Sequence, residues 1–134
     1  MKLIGTAILL ALFAAGSLAA APAAQVYIIS PTDGEVVSSP VTVRFGLKGM
    51  GVAPAGVDRP NTGHHHLLVD VVELPAAGSP IPADNQHIHF GGGQTETTLE
   101  LAPGKHTLQL IMGNQNHVPH DPPLVSERIT ITVK

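Results

Sequence analysis

Proline and glycine set the terms on which this chain can fold. Twelve prolines and fourteen glycines are spread over 134 residues, and after the first two dozen residues they interrupt the sequence every few positions. Between the interruptions, apolar residues recur with a period of two, not 3.6. In "VTVRFGL" (Val41–Leu47), Val41, Val43, Phe45 and Leu47 fall on one side and Thr42, Arg44 and Gly46 on the other. Successive strand side chains point to opposite faces, so this is the pattern of a strand half-buried against a core. The same reading gives strands over Val26–Ser30, His64–Val72, His87–Phe90, Thr95–Leu101, His106–Met112 and Val125–Val133. In the fifth, Thr97, Leu99 and Leu101 share a face. Seven short antiparallel strands in about 110 residues predict an all-β, immunoglobulin-like β-sandwich.

The opening "MKLIGTAILLALFAAGSLAAAPAAQ" reads differently. Lys2 precedes a short apolar run, Leu3 to Ala15, and then a tail of small residues. This is the pattern of a secretory signal peptide over 1–23, cleaved between Ala19 and Ala23. The run is shorter than the ~20 residues that span a bilayer. The expectation is therefore a periplasmic or secreted domain over 24–134, free of the membrane after cleavage.

Composition excludes several classes. Seven Lys and Arg stand against ten Asp and Glu, a net charge of −3, and Lys2 belongs to the leader. No basic patch is left to hold phosphates, so nucleic acid is not an expected partner. Cysteine is absent, which removes disulfides, thiolate ligands and thiol nucleophiles. Only Tyr27, Phe45 and Phe90 are aromatic beyond the leader, too few for a ring-stacking sugar surface.

Seven of the eight histidines lie in three stretches: "NTGHHHLLVD" (Asn61–Asp70), "NQHIHFGGG" (Asn85–Gly93) and "GNQNHVPHDPP" (Gly113–Pro123). An up-and-down chain path brings all three to one end of the sandwich, with the Glu73–Gln86 loop at the other. Parity puts His64 and His66 on one face with Asp70, and His65 with the core residues Leu67, Val69 and Val71. His87 and His89 point together. A histidine-x-histidine pair on a strand brings two imidazoles to one point, and imidazole nitrogen suits zinc, copper and nickel. The candidate ligands are His64, His66, His87, His89, His117 and His120, with copper or zinc as the expected metal. Met50 or Met112 could add a thioether for copper(I). Asp70, Asn114, Asn116 and Asp121 are candidates to orient the rings. Occupancy is expected to fall below about pH 6, where an ordinary imidazole protonates. His106, at the opposite end, reads as a packing or backbone-bonding residue.

Two other readings compete. In one, the chain is a metal-free structural or protein-interaction module, in contact with another periplasmic protein, whose histidines brace long loops. In the other it is a small metalloenzyme of superoxide dismutase or hydrolase type, with Glu96 as a base. No serine lies in an elbow-like motif, and the disulfide cysteines of the copper dismutases are missing.

The segments "ISPTDGEVVSSPVTVRFGLKGMGVAPAG", "NTGHHHLLVD" and "PIPADNQHIHFGGGQTETTLELAPGKHTLQLIMGNQNHVPHDPPLVSERITI" resemble the small exported bacterial proteins grouped as domain of unknown function 4399. The resemblance covers the mature chain. It implies an exported single domain and assigns no activity or ligand. The histidine-bearing motifs of that family fall on His64–His66, His87, His89, His106, His117 and His120.

Overall fold

The computed structural model describes residues 20 and 23–134. The leader expected over 1–23 lies outside the described residues, Ala20 and Ala23 excepted. Nine strands run in order among the described residues: β1 (Gln25–Ser30), β2 (Val36–Val37), β3 (Val41–Lys48), β4 (Gly51–Val52), β5 (Thr62–Val69), β6 (His87–His89), β7 (Glu96–Leu99), β8 (Gly104–Gly113) and β9 (Ile129–Val133). No helix among them is long and apolar enough to cross a membrane.

The strands form two sheets. One is β1-β3-β7; the other is β2-β9-β8-β5-β4, with β6 also paired to β5. This division, with β1, β3 and β7 facing β5, β8 and β9, is the immunoglobulin arrangement. The expected β-sandwich is thus the observed fold. It departs from the expectation in two short parallel pairings, β2 with β9 and β4 with β5, which belong to two-residue strands too short to show in the hydrophobic pattern.

The core lies between the sheets. Val41, Val43 and Phe45 of β3 face Leu67 and Val69 of β5, and Leu108, Leu110 and Met112 of β8. The alternation read in β3 is the burial alternation observed as far as Phe45; Gly46, read as outward, is buried beneath the Tyr27 ring. β5 behaves differently: from Gly63 to Val69 every residue is buried, on both faces. It is flanked by β8 on one side and by β6 and β4 on the other. Its outer face is covered as well, because Ile81 packs on Leu68 and Ile111. The Glu73–Gln86 loop therefore does not stay at the far end, as the sequence suggested. It climbs the outer face, where the Ile81 N–H donates to the His117 carbonyl at 2.8 Å. β5 also stops at Val69, short of the expected Val72, because Asp70 takes a left-handed conformation (φ 56°) that strand geometry cannot accommodate. β9 likewise starts at Ile129; Val125 makes only an isolated bridge to Ile111.

Leu67, fully buried between the sheets, tests this packing. Leu67→Ala should lower the unfolding free energy by about 2–5 kcal/mol. Ile29→Ala, at a side chain 53% exposed, should stay within about 0.5 kcal/mol of the parent. Urea titrations of both variants check the contrast.

Candidate metal centre

Along β5 the outward positions are His64, His66 and Leu68, and the inward ones His65, Leu67 and Val69. His66 sits directly opposite His89 of β6, the spacing at which cross-strand side chains touch. The loop after β8 supplies His117. That loop is tightly built: the His117 N–H donates to the Asn114 carbonyl, the Asn114 N–H donates to that of Val118, and the Asn114 side chain accepts from the Asn116 and Val118 N–H groups. His117 itself is left-handed, at φ 65°, a conformation uncommon outside glycine.

Four imidazoles consequently meet over the outer face of β5. Their ring centroids stand 4.9 Å (His64–His66), 5.0 Å (His64–His89), 5.1 Å (His64–His117), 5.0 Å (His66–His89), 6.2 Å (His66–His117) and 4.6 Å (His89–His117) apart. His117 thus stands beside the other three rings, without being one of the group whose nitrogens come within ligating reach of one another. His64, His66 and His89 offer nitrogens within 4.8 Å of one another, and the two inner ones, Nε2 of His64 and Nε2 of His66, are 3.0 Å apart. Without an ion, one of these nitrogens carries a hydrogen and donates it to the other; for both to hold an ion, that hydrogen would have to move to the Nδ1 of its ring.

Electrostatics keep the deep pair neutral. His64 and His66 are almost wholly buried. Burial, followed by repulsion from the neighbouring imidazoles, lowers His64 to about 4 and His66 to about 3. Burial and then His117 also lower His89, which lies at the surface. The deep rings thus remain unprotonated well below pH 6, further into acid than an ordinary imidazole. Their Nδ1 atoms are buried without a hydrogen-bond partner. No carboxylate orients them, contrary to the expectation for Asp70, Asn114, Asn116 and Asp121.

The other expected ligands lie elsewhere. His87 points the same way as His89, as parity required, but pairs with Leu68 instead of an imidazole. Its Nδ1 is bonded to Asp84 at 2.8 Å. His120 sits across β5 from His64, with its buried Nε2 against Gly63; it lines a cleft of about 410 Å³ with Met50, Asn61 and Leu124. Met112 is buried in the core. Neither methionine joins the four rings. Asp70 leaves the face of His64 and His66 at its left-handed turn. It binds His106 Nδ1 at 2.8 Å and the Thr107 N–H at 2.8 Å, while His106 Nε2 donates to the Ala102 carbonyl. His106 is thus the backbone-bonding residue the sequence suggested. His65 is a core residue, its ring 5.2 Å from Phe45. Burial lowers it to about 4, against a weak opposing effect of the Gln94 backbone. Glu96 is exposed and paired with Arg44 on the other sheet, far from any role as a base here.

Two glycines are seats for rings. A Cβ on Gly113 would stand 2.9 Å from His66 Nε2, and one on Gly91 would run into the His89 ring. The signal was visible as a glycine bordering each histidine stretch: Gly63, Gly91 and Gly113.

A β-sandwich with an imidazole cluster on one sheet defines a class of possible metal-binding domains. More specifically, residues 43–134 match the family model for the Domain of unknown function (DUF4399), and the chain belongs to that family. No curated protein and no solved structure is detectably similar to it.

The depressed imidazoles set the acid stability of the metal-free protein. Unfolded, His64, His65 and His66 take up protons near pH 6.5; folded, they resist to about 4, 4 and 3. The unfolded state therefore binds more protons between these limits, and stability falls as pH drops from about 6.5 towards 3. His106, raised by Asp70 and then by the Ala102 carbonyl, opposes this. Its contribution is complete below about 6.5 and disappears as pH rises through its folded value. His89 and His120 are lowered as well, chiefly by burial; five groups outweigh one, so chelator-treated protein should melt at steadily lower temperature from pH 7 to pH 4. His66→Gln should flatten that slope, and a pH-independent melting profile in the parent would refute it.

Proposed function

We propose that this chain is an exported protein that binds one transition-metal ion, copper or zinc, between β5, β6 and the loop after β8. The observation that carries this reading is the triad of His64, His66 and His89, whose ring nitrogens lie within 4.8 Å of one another, with the His117 ring beside it. The donor chemistry supports it. The set is all imidazole nitrogen, which suits copper, zinc and nickel. The deep ligands are already neutral, so the ion need displace few protons. Export is read from the leader sequence. The metal ion itself is the partner this reading requires, and a second exported protein to give or receive it is compatible with the partly exposed His89 and His117.

Elemental analysis of untagged protein recovered from a periplasmic extract should find close to one copper or zinc per chain. Adding metal to chelator-treated protein at a hundredfold excess over Kd should stabilise it by about 2.7 kcal/mol, a rise in Tm of roughly 10 °C or more for a domain of this size. The triple variant His64→Gln, His66→Gln, His89→Gln should lose that rise. Gly113→Ala should weaken it while leaving the far-ultraviolet circular dichroism unchanged, because the new methyl group displaces His66. Metal-free protein from the cell, together with a Tm indifferent to added metal, would leave the histidines as loop braces.

A further inference from the structure

His120 and Met50 stand apart from the outer histidine cluster, and the fold brings both to one cleft on the other side of β5. The cleft holds about 410 Å³, within the range of small-ligand sites. Ala24, Pro122 and Leu124 make much of its wall apolar. Both donors are carried on anchored backbone. Asn61, left-handed at φ 56°, grips the chain on either side of Met50. Its Nδ2 donates to the Gly49 carbonyl at 3.1 Å, and its own carbonyl accepts from the Gly51 N–H at 3.0 Å. The segment carrying His120 is tied to β8 on both sides of that residue: Pro119 bridges to Gly113, and the Leu124 carbonyl accepts from the Met112 N–H at 3.0 Å. His120 Nε2 is buried against Gly63 without a partner. Nδ1 is not fully buried and bonds to no described residue, so it is the nitrogen left for an occupant of the cleft. Burial lowers His120, which keeps the ring in the neutral form that ligates.

This pair of donors selects its ion. A thioether is a soft ligand that favours copper(I), and imidazole also suits copper. Among the described residues no carboxylate lines the cleft. A divalent ion would therefore enter apolar surroundings with no charge to offset its own, which is costly; a singly charged ion bears less of that cost. The Met50 side chain, unbranched with three rotatable bonds, can swing to meet an ion held by the imidazole. We infer that the cleft is a second metal site, selective for a soft monovalent ion of the copper(I) type, bound by Met50 Sδ and His120 Nδ1. It is separate from the triad, which lies across β5 and offers nitrogen alone, and it stands whether or not the triad holds an ion. Two neutral donors on a surface cleft make it a site of exchange, so the metal retained through purification stays near the one ion of the triad.

The test is a silver(I) titration of the untagged chain with isotope-labelled methionine methyl groups, followed by NMR. Silver(I) has the charge and softness of copper(I) without its oxidation. Met50 and Met112 are the methionines among the described residues, and Met112, fully buried in the core, is the internal reference. Excess silver(I) should shift the Met50 methyl signal and the His120 ring nitrogens together, leaving Met112 in place; zinc should leave Met50 in place as well. Met50→Leu, a swap of similar volume that cores tolerate, should keep the fold and abolish the His120 shift. His120→Gln should weaken the Met50 response about tenfold or more, the least that losing even a residue behind a ligand costs. A Met50 signal that silver(I) does not move would overturn the site. A Met50 response undiminished in His120→Gln would make Met50 a lone surface thioether and overturn the pair. A zinc response as strong as that to silver(I) would overturn the selectivity.

Discussion

Burial of β5 on both faces is the constraint from which the rest of the structure follows. A strand can lie there only if its backbone is fully paired, and β8, β6 and β4 together supply that pairing. The chain then places three consecutive imidazoles in positions almost without solvent. Apolar residues would cost nothing there. Each buried ring nitrogen without a partner costs on the order of 1–3 kcal/mol, and several are in that state. The inner Nε2 atoms of His64 and His66 escape that penalty by bonding each other, whereas their Nδ1 atoms bear it.

Much of this was legible in the sequence, for identifiable reasons. The period-two pattern of β3 gave a sandwich because an inward-facing apolar row needs a second sheet. Strand direction then brought distant histidines to one rim, and parity assigned His65 to the core and His64 and His66 to the opposite face. The errors share a cause. His87 has the same parity as His89, but nothing in the strand pattern reveals that Asp84, three residues earlier, captures its Nδ1. His120 is three residues from His117, yet the loop carries it to the other side of β5. Asp70 was given to the wrong neighbours because a left-handed turn ends the strand before it. Parity holds only while backbone geometry is regular, and the errors at Asp70 and His120 fall where it is not; at His87 parity held and the bond to Asp84 decided.

The outer covering was the least visible part. The Glu73–Gln86 segment has no strand periodicity, and its one deeply buried apolar residue, Ile81, gives little sign of its destination. In the structure Ile81 closes the face over Leu68 and Ile111, next to the imidazoles. The ring-seating role of Gly91 and Gly113 was equally hidden. A glycine in a turn and a glycine that seats a ring look alike in sequence, and only the position of the partner ring tells them apart.

The hydrogen bond from Ile81 to the His117 carbonyl has a further consequence. Three of the four rings stand on strands, and their positions are fixed by the sheet. The fourth belongs to a segment whose backbone is tied to the outer loop. A shift of the His117 backbone would therefore pull on Ile81, and with it on the one apolar anchor that holds the Glu73–Gln86 segment to the sheet.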